Sequence, residues 1–400
     1  MTDVPTRFAL SGADVFDGRT RHRKHALIID EGRIRAIVPA RELPANIEVV
    51  RTDGGLVSAG FIDLQVNGGG GVLFNSQPTV EGIRDIVAAH ARMGTTALLP
   101  TVITDHPEVT YGAITAVRQA IAQGLEGCLG IHIEGPFIAP AKKGAHDPAL
   151  IRDLNDGELL RLTHTGLRNV LITLAPEAVN NQQIEALIKA GVTVSIGHSN
   201  ASYDQAMAMF QAGTRCVTHL FNAMSQFGSR DPGIVGAALA SEQVWCGLIA
   251  DGHHVHPATL STAMQAKRGL PFFLVSDAMP TAGSIQDSFL LNGREVTRVH
   301  DRLTLEDGTL AGSDLVLIDA VRFMADTVGV GLEEALRMAS LYPAMALGVT
   351  ADYGRLVPGR RADIVHLTED LSVEAVWVGG KPVDTKHQEP SPHASVSSAA

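Results

Sequence analysis

The chain has 400 residues, of which 45% are hydrophobic and 19% charged, and a formal net charge of -11. That length supports a large core and more than one domain, and the balance is that of a globular chain rather than a disordered one. The acidic charge excludes a sequence-independent grip on nucleic acid, which needs a basic surface, but a local Arg or His cluster can still hold a phosphate.

Met1 is not followed by a charged-then-apolar leader, and no apolar run reaches membrane-spanning length. The expectation is a cytoplasmic protein with no membrane and no nucleic-acid partner. Cys128, Cys216 and Cys246 all lie in apolar segments and read as buried free thiols of a reducing compartment.

The first part of the chain is β-rich. His25 to Asp30, a turn at Glu31 and Gly32, and Arg33 to Val38 predict a hairpin with alternating faces, and residues 48–53 add a short strand. At Phe61 the pattern changes, and strand-like runs begin to alternate with helical ones. Thr79 is placed to cap a helix through Ile83, Ile86, Val87 and His90 that ends at Gly94. Further helices fit residues 106–123, 184–189 and 206–211. Eight β segments start near residues 61, 96, 128, 170, 192, 215, 244 and 272. Eight βα units predict an α/β fold, a (β/α)8 TIM-like barrel, with functional groups at the C-terminal ends of the strands. A doubly wound open sheet is the alternative, and it wants a Gly-rich phosphate loop after its first strand. Gly68 to Gly71 follows Asn67, but no helix pattern opens there and the spacing is wrong, so the run reads as a loop.

After Asp277 come a hairpin-like stretch over 289–305 and helices near 315–325 and 332–339, and then β character returns at 364–367 and 373–378. The N- and C-terminal β regions are expected to form one small β-sandwich domain, 1–57 with 355–386, interrupted by a metal-dependent barrel, 58–354. Residues 387–400 are Ser-, Pro- and Ala-rich and read as a disordered tail.

Five segments place a carboxylate or imidazole where an apolar strand stops: Glu134, His198, His219, the Asp251 to His254 run, and Asp277. Glu134, His198 and His219 supply one carboxylate and two imidazoles from three strand ends, the donor count of an open hydrolytic metal site. Such a site acidifies water, and Asp277 is the candidate base for the proton. His254 is placed to polarise a carbonyl or stabilise an oxyanion. Taken singly, each of these is more often structural: an ion-paired acid or a hydrogen-bonded rim histidine. Together, at successive strand ends, they read as a site. His132 shares a strand face with Glu134 and reads as a support for the ligands, with a ligand of a second metal as the alternative, and His253 is expected to face away from His254. His90 and His106 carry no signal, and Asp63 is as readily a buried structural carboxylate.

These motifs carry a family likeness. Ala59 to Gly68, His132 to Phe137, Lys143 to His146, Gly197 to Ser199, Thr218 to Met224, Asp251 to His254, Ser276 to Ala278, Gly308 to Ser313 and Gly354 to Asp363 resemble the amidohydrolase superfamily and, within it, the deacetylases of N-acetylated hexosamine phosphates. The resemblance spans nearly the whole chain. Most members place His-x-His on the first barrel strand as metal ligands, whereas here those positions are Gln65 and Asn67. Neutral amides bind a divalent ion poorly, so the resemblance implies a vacated second metal site and one divalent ion per subunit on Glu134, His198 and His219. Zinc suits the ligands; iron, cobalt or manganese could substitute.

The resemblance further implies contacts to a phosphorylated amino sugar from Ala145, His146, Asn222, Ala223, Asp251 and His254, with Leu310, Ala311 and Gly312 around the acetyl group. It implies a homodimer in which Arg230 reaches the neighbouring site; without it, Arg230 reads as a solvated loop arginine. The implied activity is hydrolysis of the acetamide of N-acetyl-D-glucosamine 6-phosphate. The galacto epimer is the alternative substrate; a deaminase-like or dihydroorotase-like reaction, or a barrel that binds without catalysis, is the more distant reading.

Overall fold

The computed structural model describes residues 6–267 and 271–385. The expected tail, 387–400, lies outside these residues. Eight parallel strands run in sequence order around a barrel: β1 (Phe61–Val66), β2 (Thr95–Ile103), β3 (Ile131–Glu134), β4 (Val170–Leu174), β5 (Thr193–Ile196), β6 (Cys216–Val217), β7 (Trp245–Leu248) and β8 (Phe272–Leu274). The ring closes just beyond β8, where Ala278 bridges Val66 and the Asp277 N–H donates to the Gln65 carbonyl at 3.0 Å. Parallel strands covered on both faces need apolar residues in both directions. Accordingly β1, β2 and β3 are buried along their whole length.

The helices between the strands follow from local chemistry. Thr79 caps Val80–Arg92 by accepting from the Gly82 N–H. Asn180 with Gln183, and Ser202 with Gln205, form reciprocal capping boxes at the starts of Asn181–Lys189 and Tyr203–Gln211. Pro107 opens Pro107–Ala122, where its missing N–H costs nothing. Three helices between the barrel strands went unread in the sequence, Asp156–Leu162, Gly233–Ala240 and Pro257–Ala266, as did Leu341–Leu347 after them.

Two sheets stand beside the barrel. One has four strands, Arg7–Ser11, His25–Asp30, Arg33–Pro39 and Glu48–Arg51. The other has six and joins both ends of the chain: Ile364–Leu367 pairs antiparallel with Leu56–Ala59 on one side and Val373–Val378 on the other. The two sheets share a core in which Phe8, Leu10, Leu27 and Ile29 meet Val57, Ala59, Ile364 and Trp377, the expected sandwich. Each of these side chains larger than alanine contributes roughly 1.5–3 kcal/mol by leaving water.

The stretch expected as a hairpin is a three-stranded antiparallel sheet, Ser288–Leu291, Arg294–Val299 and Arg302–Thr304. Leu291, Val296, Leu303 and Leu305 pack against Leu73, Ile103 and Met279. This sheet therefore roofs the C-terminal rim of the barrel. Cys128, Cys216 and Cys246 are free and buried, as read from the sequence. No helix among the described residues is long and apolar enough to cross a membrane.

Candidate metal centre

The rim residues come from strand ends through backbone that few side chains tolerate. Glu134 is the last residue of β3, and His198, His219 and Asp277 follow β5, β6 and β8 by two or three residues. His198, His219 and Asp277 have φ of 49°, 31° and 55°. Left-handed backbone at a non-glycine residue costs on the order of 1–3 kcal/mol and persists only where neighbours impose it. Here they do: the Leu220 N–H donates to the Gly247 carbonyl at 2.8 Å, and the Ser313 N–H to the Asp277 carbonyl at 2.9 Å. The turn aims each side chain into the mouth of the barrel.

Glu134 Oε1 lies 3.2 Å from His198 Nε2 and 3.0 Å from His219 Nε2, and the two imidazole nitrogens are 3.1 Å apart. All three residues are buried, and among the described residues they form a group whose ligand atoms lie within 4.8 Å of one another. At most one N–H fits between two nitrogens at that separation, and one carboxylate oxygen faces both. That donor set suits a cation better than a hydrogen-bonded cluster. His198 Nδ1 is fixed by the Lys142 carbonyl at 2.8 Å, which leaves Nε2 as its inward donor. Burial works to raise the Glu134 carboxyl, but the hydrogen bonds of His198 and His219 outweigh it and hold it well below the ordinary range. Burial works to lower His219, and Glu134 reverses it upward.

Gln65 and Asn67 occupy the first-strand positions. Gln65 Nε2 donates to both oxygens of Glu134 and to Asp277 Oδ1, each at 3.0 Å. Asn67 Nδ2 donates to Asp277 Oδ1 at 2.7 Å. The amides thus steady two carboxylates. Burial, reinforced by the Glu134 charge, pushes Asp277 up to about 6.

Below this layer, His132 Nε2 meets Thr173 Oγ1 at 2.8 Å and its Nδ1 meets Thr101 Oγ1 at 3.3 Å. Burial pulls it down to about 4, so it is a neutral ring supporting the strands under Glu134. Asp63, wholly buried, accepts from the Gln65 and Ser276 N–H groups and ties β1 to the residue before Asp277. His90 is also buried and meets the Gly68 carbonyl at 2.9 Å.

A cavity of about 390 Å³ opens on the cluster, a size suited to a small metabolite. Of the residues singled out in the sequence, Glu134, His198, His219, Asn67, Ala145, His146, Asn222, Ala223, His254, Asp277, Leu310 and Gly312 line it. His146 is buried, with Nδ1 2.6 Å from Thr104 Oγ1, and burial together with the nearby His198 pulls it down to about 3. Four do not line the cavity: Gln65, which lies beneath it against Glu134 and Asp277, and Ala311, Asp251 and Arg230. Ala311 is fully buried in the packing beneath the roof sheet. Asp251 stands behind His254, its Oδ2 2.6 Å from His254 Nδ1. Arg230 is exposed on a loop outside the cavity. Sequence reasoning did not single out Ile103, Ile249, Met279 and Leu291 in the wall. Ile103 ends β2 and Ile249 follows β7, so the strand-end rule could have found both; Leu291 comes from the roof, where no such rule applies.

Residues 56–383 match the amidohydrolase family, and residues 7–57 match the NagA composite domain. The chain is 44% identical over 331 residues to the N-acetylgalactosamine-6-phosphate deacetylase of Shewanella sp. (strain ANA-3), covering 83% of this chain and 84% of that one. It is 34% identical over 378 residues to the N-acetylglucosamine-6-phosphate deacetylase of Haemophilus influenzae, covering 94% and 99%. The crystal structure of N-acetylglucosamine-6-phosphate deacetylase from Pasteurella multocida superposes with a TM-score of 0.91 at 34% identity, covering 94% of this chain and 99% of that one.

Proposed function

This chain belongs to the amidohydrolase family, and we propose that it hydrolyses the acetamide of N-acetyl-D-glucosamine 6-phosphate to acetate and D-glucosamine 6-phosphate. The observation that carries this reading is the convergence of Glu134, His198 and His219 on one point beside Asp277, at the floor of a cavity sized for a sugar phosphate. Relatives bearing that activity support the substrate class. A second reading keeps the chemistry and takes the galacto epimer; the 44% identical Shewanella relative favours it.

Glu134, His198 and His219 would hold one divalent ion, which supplies Lewis acidity and an acidified water when bound. We take zinc as the ion, on the imidazole and carboxylate donors. Asp277 is the proton carrier. Its Oδ1 is engaged by Gln65 and Asn67, so Oδ2 is the oxygen that takes the proton as the acetamide carbonyl is attacked and passes it to the leaving amine. A carboxyl near 6 is well matched to both directions of transfer at neutral pH. His254, held by Asp251, presents its other nitrogen towards the cavity, where it orients the sugar phosphate or steadies the developing oxyanion. Asn222, Ala223 and His146 line the sugar-binding part, and Ile103, Met279, Leu291 and Leu310 give an apolar wall for the acetyl methyl.

We further propose a cytoplasmic homodimer in which Arg230 reaches the partner's phosphate site. In its support, Arg230 is exposed and, among the described residues, no arginine lines the cavity of a single chain, whereas a phosphate favours a guanidinium clamp.

The test is acetate release from both epimers and from the unphosphorylated sugar, with metal-loaded and chelator-stripped protein. Metal-dependent release from the gluco phosphate supports the first reading, and release from the galacto phosphate alone supports the second. No release from either, with metal bound, overturns both.

A further inference from the structure

His253 is the histidine of the Asp251 to His254 run that the reaction above does not use. Its ring turns away from the cavity and meets the roof sheet. His253 Nε2 lies 2.6 Å from Asp301 Oδ2, and Arg302 Nε donates to His253 Nδ1 at 3.1 Å. The two contacts fix the tautomer, with the proton on Nε2 and the lone pair on Nδ1. Asp301 and Arg302 stand at the turn between Arg294–Val299 and Arg302–Thr304, where His300 adopts a left-handed φ of 62°.

The same short run also carries His254. Asp251 Oδ1 accepts from the N–H groups of both His253 and His254, at 2.8 and 2.9 Å, while its Oδ2 holds the His254 ring. One carboxylate therefore sets two rings with opposite tasks: His254 faces the cavity and His253 grips the roof. The roof in turn supplies Leu291 to the cavity wall and runs on into Thr309 and Leu310. At another corner, the Arg294 guanidinium donates to the Ala145 carbonyl, in the loop that carries Ala145 and His146 into the same wall.

We propose that His253 is a positioning residue: it latches the roof sheet to the turn that bears His254, and so keeps the cavity closed around the sugar phosphate. The inference rests on the proposed deacetylase reading for its assay. It goes beyond that reading in assigning the roof sheet a part in substrate retention and His253 the contact that holds it.

The experiment compares wild type with His253→Ala, Asp301→Ala, the double variant and His253→Gln, all metal-loaded, for acetate release from the epimer that wild type prefers. If wild type turns over neither epimer, the deacetylase reading fails; with an active wild type, the variants judge the latch alone. A half-exposed pair is partly screened by water, so the expected rise in KM for His253→Ala is about three- to tenfold, with kcat within about twofold of wild type. Asp301→Ala should also raise KM, though His253→Ala loses the Arg302 contact as well, and the double variant should fall short of the product of the two single effects, because the two changes share the His253–Asp301 contact. His253→Gln, which keeps a donor and an acceptor, should recover most of the wild-type KM. A His253→Ala enzyme with wild-type KM overturns the proposal. So does a loss of kcat at constant KM, an additive double variant, or a Gln variant no better than Ala with all variants melting at the wild-type temperature.

Discussion

Gln65 Nε2 sits 3.0 Å from each carboxylate oxygen of Glu134 and at the same distance from Asp277 Oδ1. A residue that the sequence marks as a lost metal ligand is a hydrogen-bond donor shared by two buried acids. A neutral amide there does part of what a second cation would do. It offers hydrogen to both carboxylates without a charge of its own, and it keeps Glu134 and Asp277 from facing each other across an apolar gap.

Removing that donor should therefore impair the acids rather than the fold. Gln65→Leu is expected to lower kcat/KM by about 10- to 100-fold, the worth of about one hydrogen bond to an ionised group. Asp277 should titrate higher in this variant, because the amide bond that favours its charged form is gone. Steady-state kinetics across pH checks both. An unaltered acid limb would assign the amides to packing alone.

The metal assignment is tested by content as well as rate. Wild type should bind one divalent ion per chain, because Gln65 and Asn67 replace the imidazoles a second ion would need. His219→Gln should lose most of that ion and all measurable turnover. Elemental analysis beside the acetate assay gives the answer. A variant that keeps full metal and full rate removes His219 from the ligand set.

Asp277→Asn should retain the metal and lose about 10²–10⁴ in kcat, since an amide cannot carry the proton. In wild type the charged carboxylate is the working form. With Asp277 pushed up to about 6 by burial and the Glu134 charge, the ionised fraction falls as pH drops through that value. The profile of kcat/KM should therefore bend down below about pH 6 and lose roughly tenfold per further unit. A profile flat to pH 4 would assign the proton to another group.

Much of this site was legible because barrel strands are short apolar runs that stop at a polar residue. Glu134, His198, His219 and Asp277 stand at such stops, and so do Gln65 and Asn67 on the first strand. Helices with one apolar face and a capping residue were equally plain, as Thr79 with Ile83, Ile86 and Val87 shows. Gly233–Ala240 was not, because most of its residues are buried and it is apolar all round, so no 3.6-residue period marks it. The roof escaped as well. Which side of the molecule Ser288–Leu291 covers depends on tertiary packing against Ile103 and Met279, and nothing in the local sequence records that. The tasks of Asp63 and His253 were hidden for the same reason: their partners, Ser276 and Asp301, lie 213 and 48 residues away.

Lys267 gives a prediction about stability apart from chemistry. It is buried, and its Nζ donates to the carbonyls of Ala238, Ser241 and Val244 at 2.7, 2.6 and 3.1 Å. Ala238 lies in the last turn of Gly233–Ala240 and Ser241 caps it; their carbonyls accept the Ser241 and Val244 N–H groups at 3.3 Å, and the ammonium is a second, closer donor to each at this helix C-terminus. Burial lowers its pKa, a cost that the three acceptors offset while the group remains charged. Lys267→Met keeps the length of the side chain and its packing but takes the ammonium from all three carbonyls, and leaves those of Ala238 and Ser241 only their longer bonds to backbone N–H groups. The expected loss is about 2–3 kcal/mol, seen as a thermal midpoint lower by roughly 5 °C. Because the site residues are untouched, kcat at 25 °C per folded molecule should match wild type. Calorimetry with parallel kinetics separates the two effects, and an unchanged midpoint would mean that water replaces the ammonium at no cost.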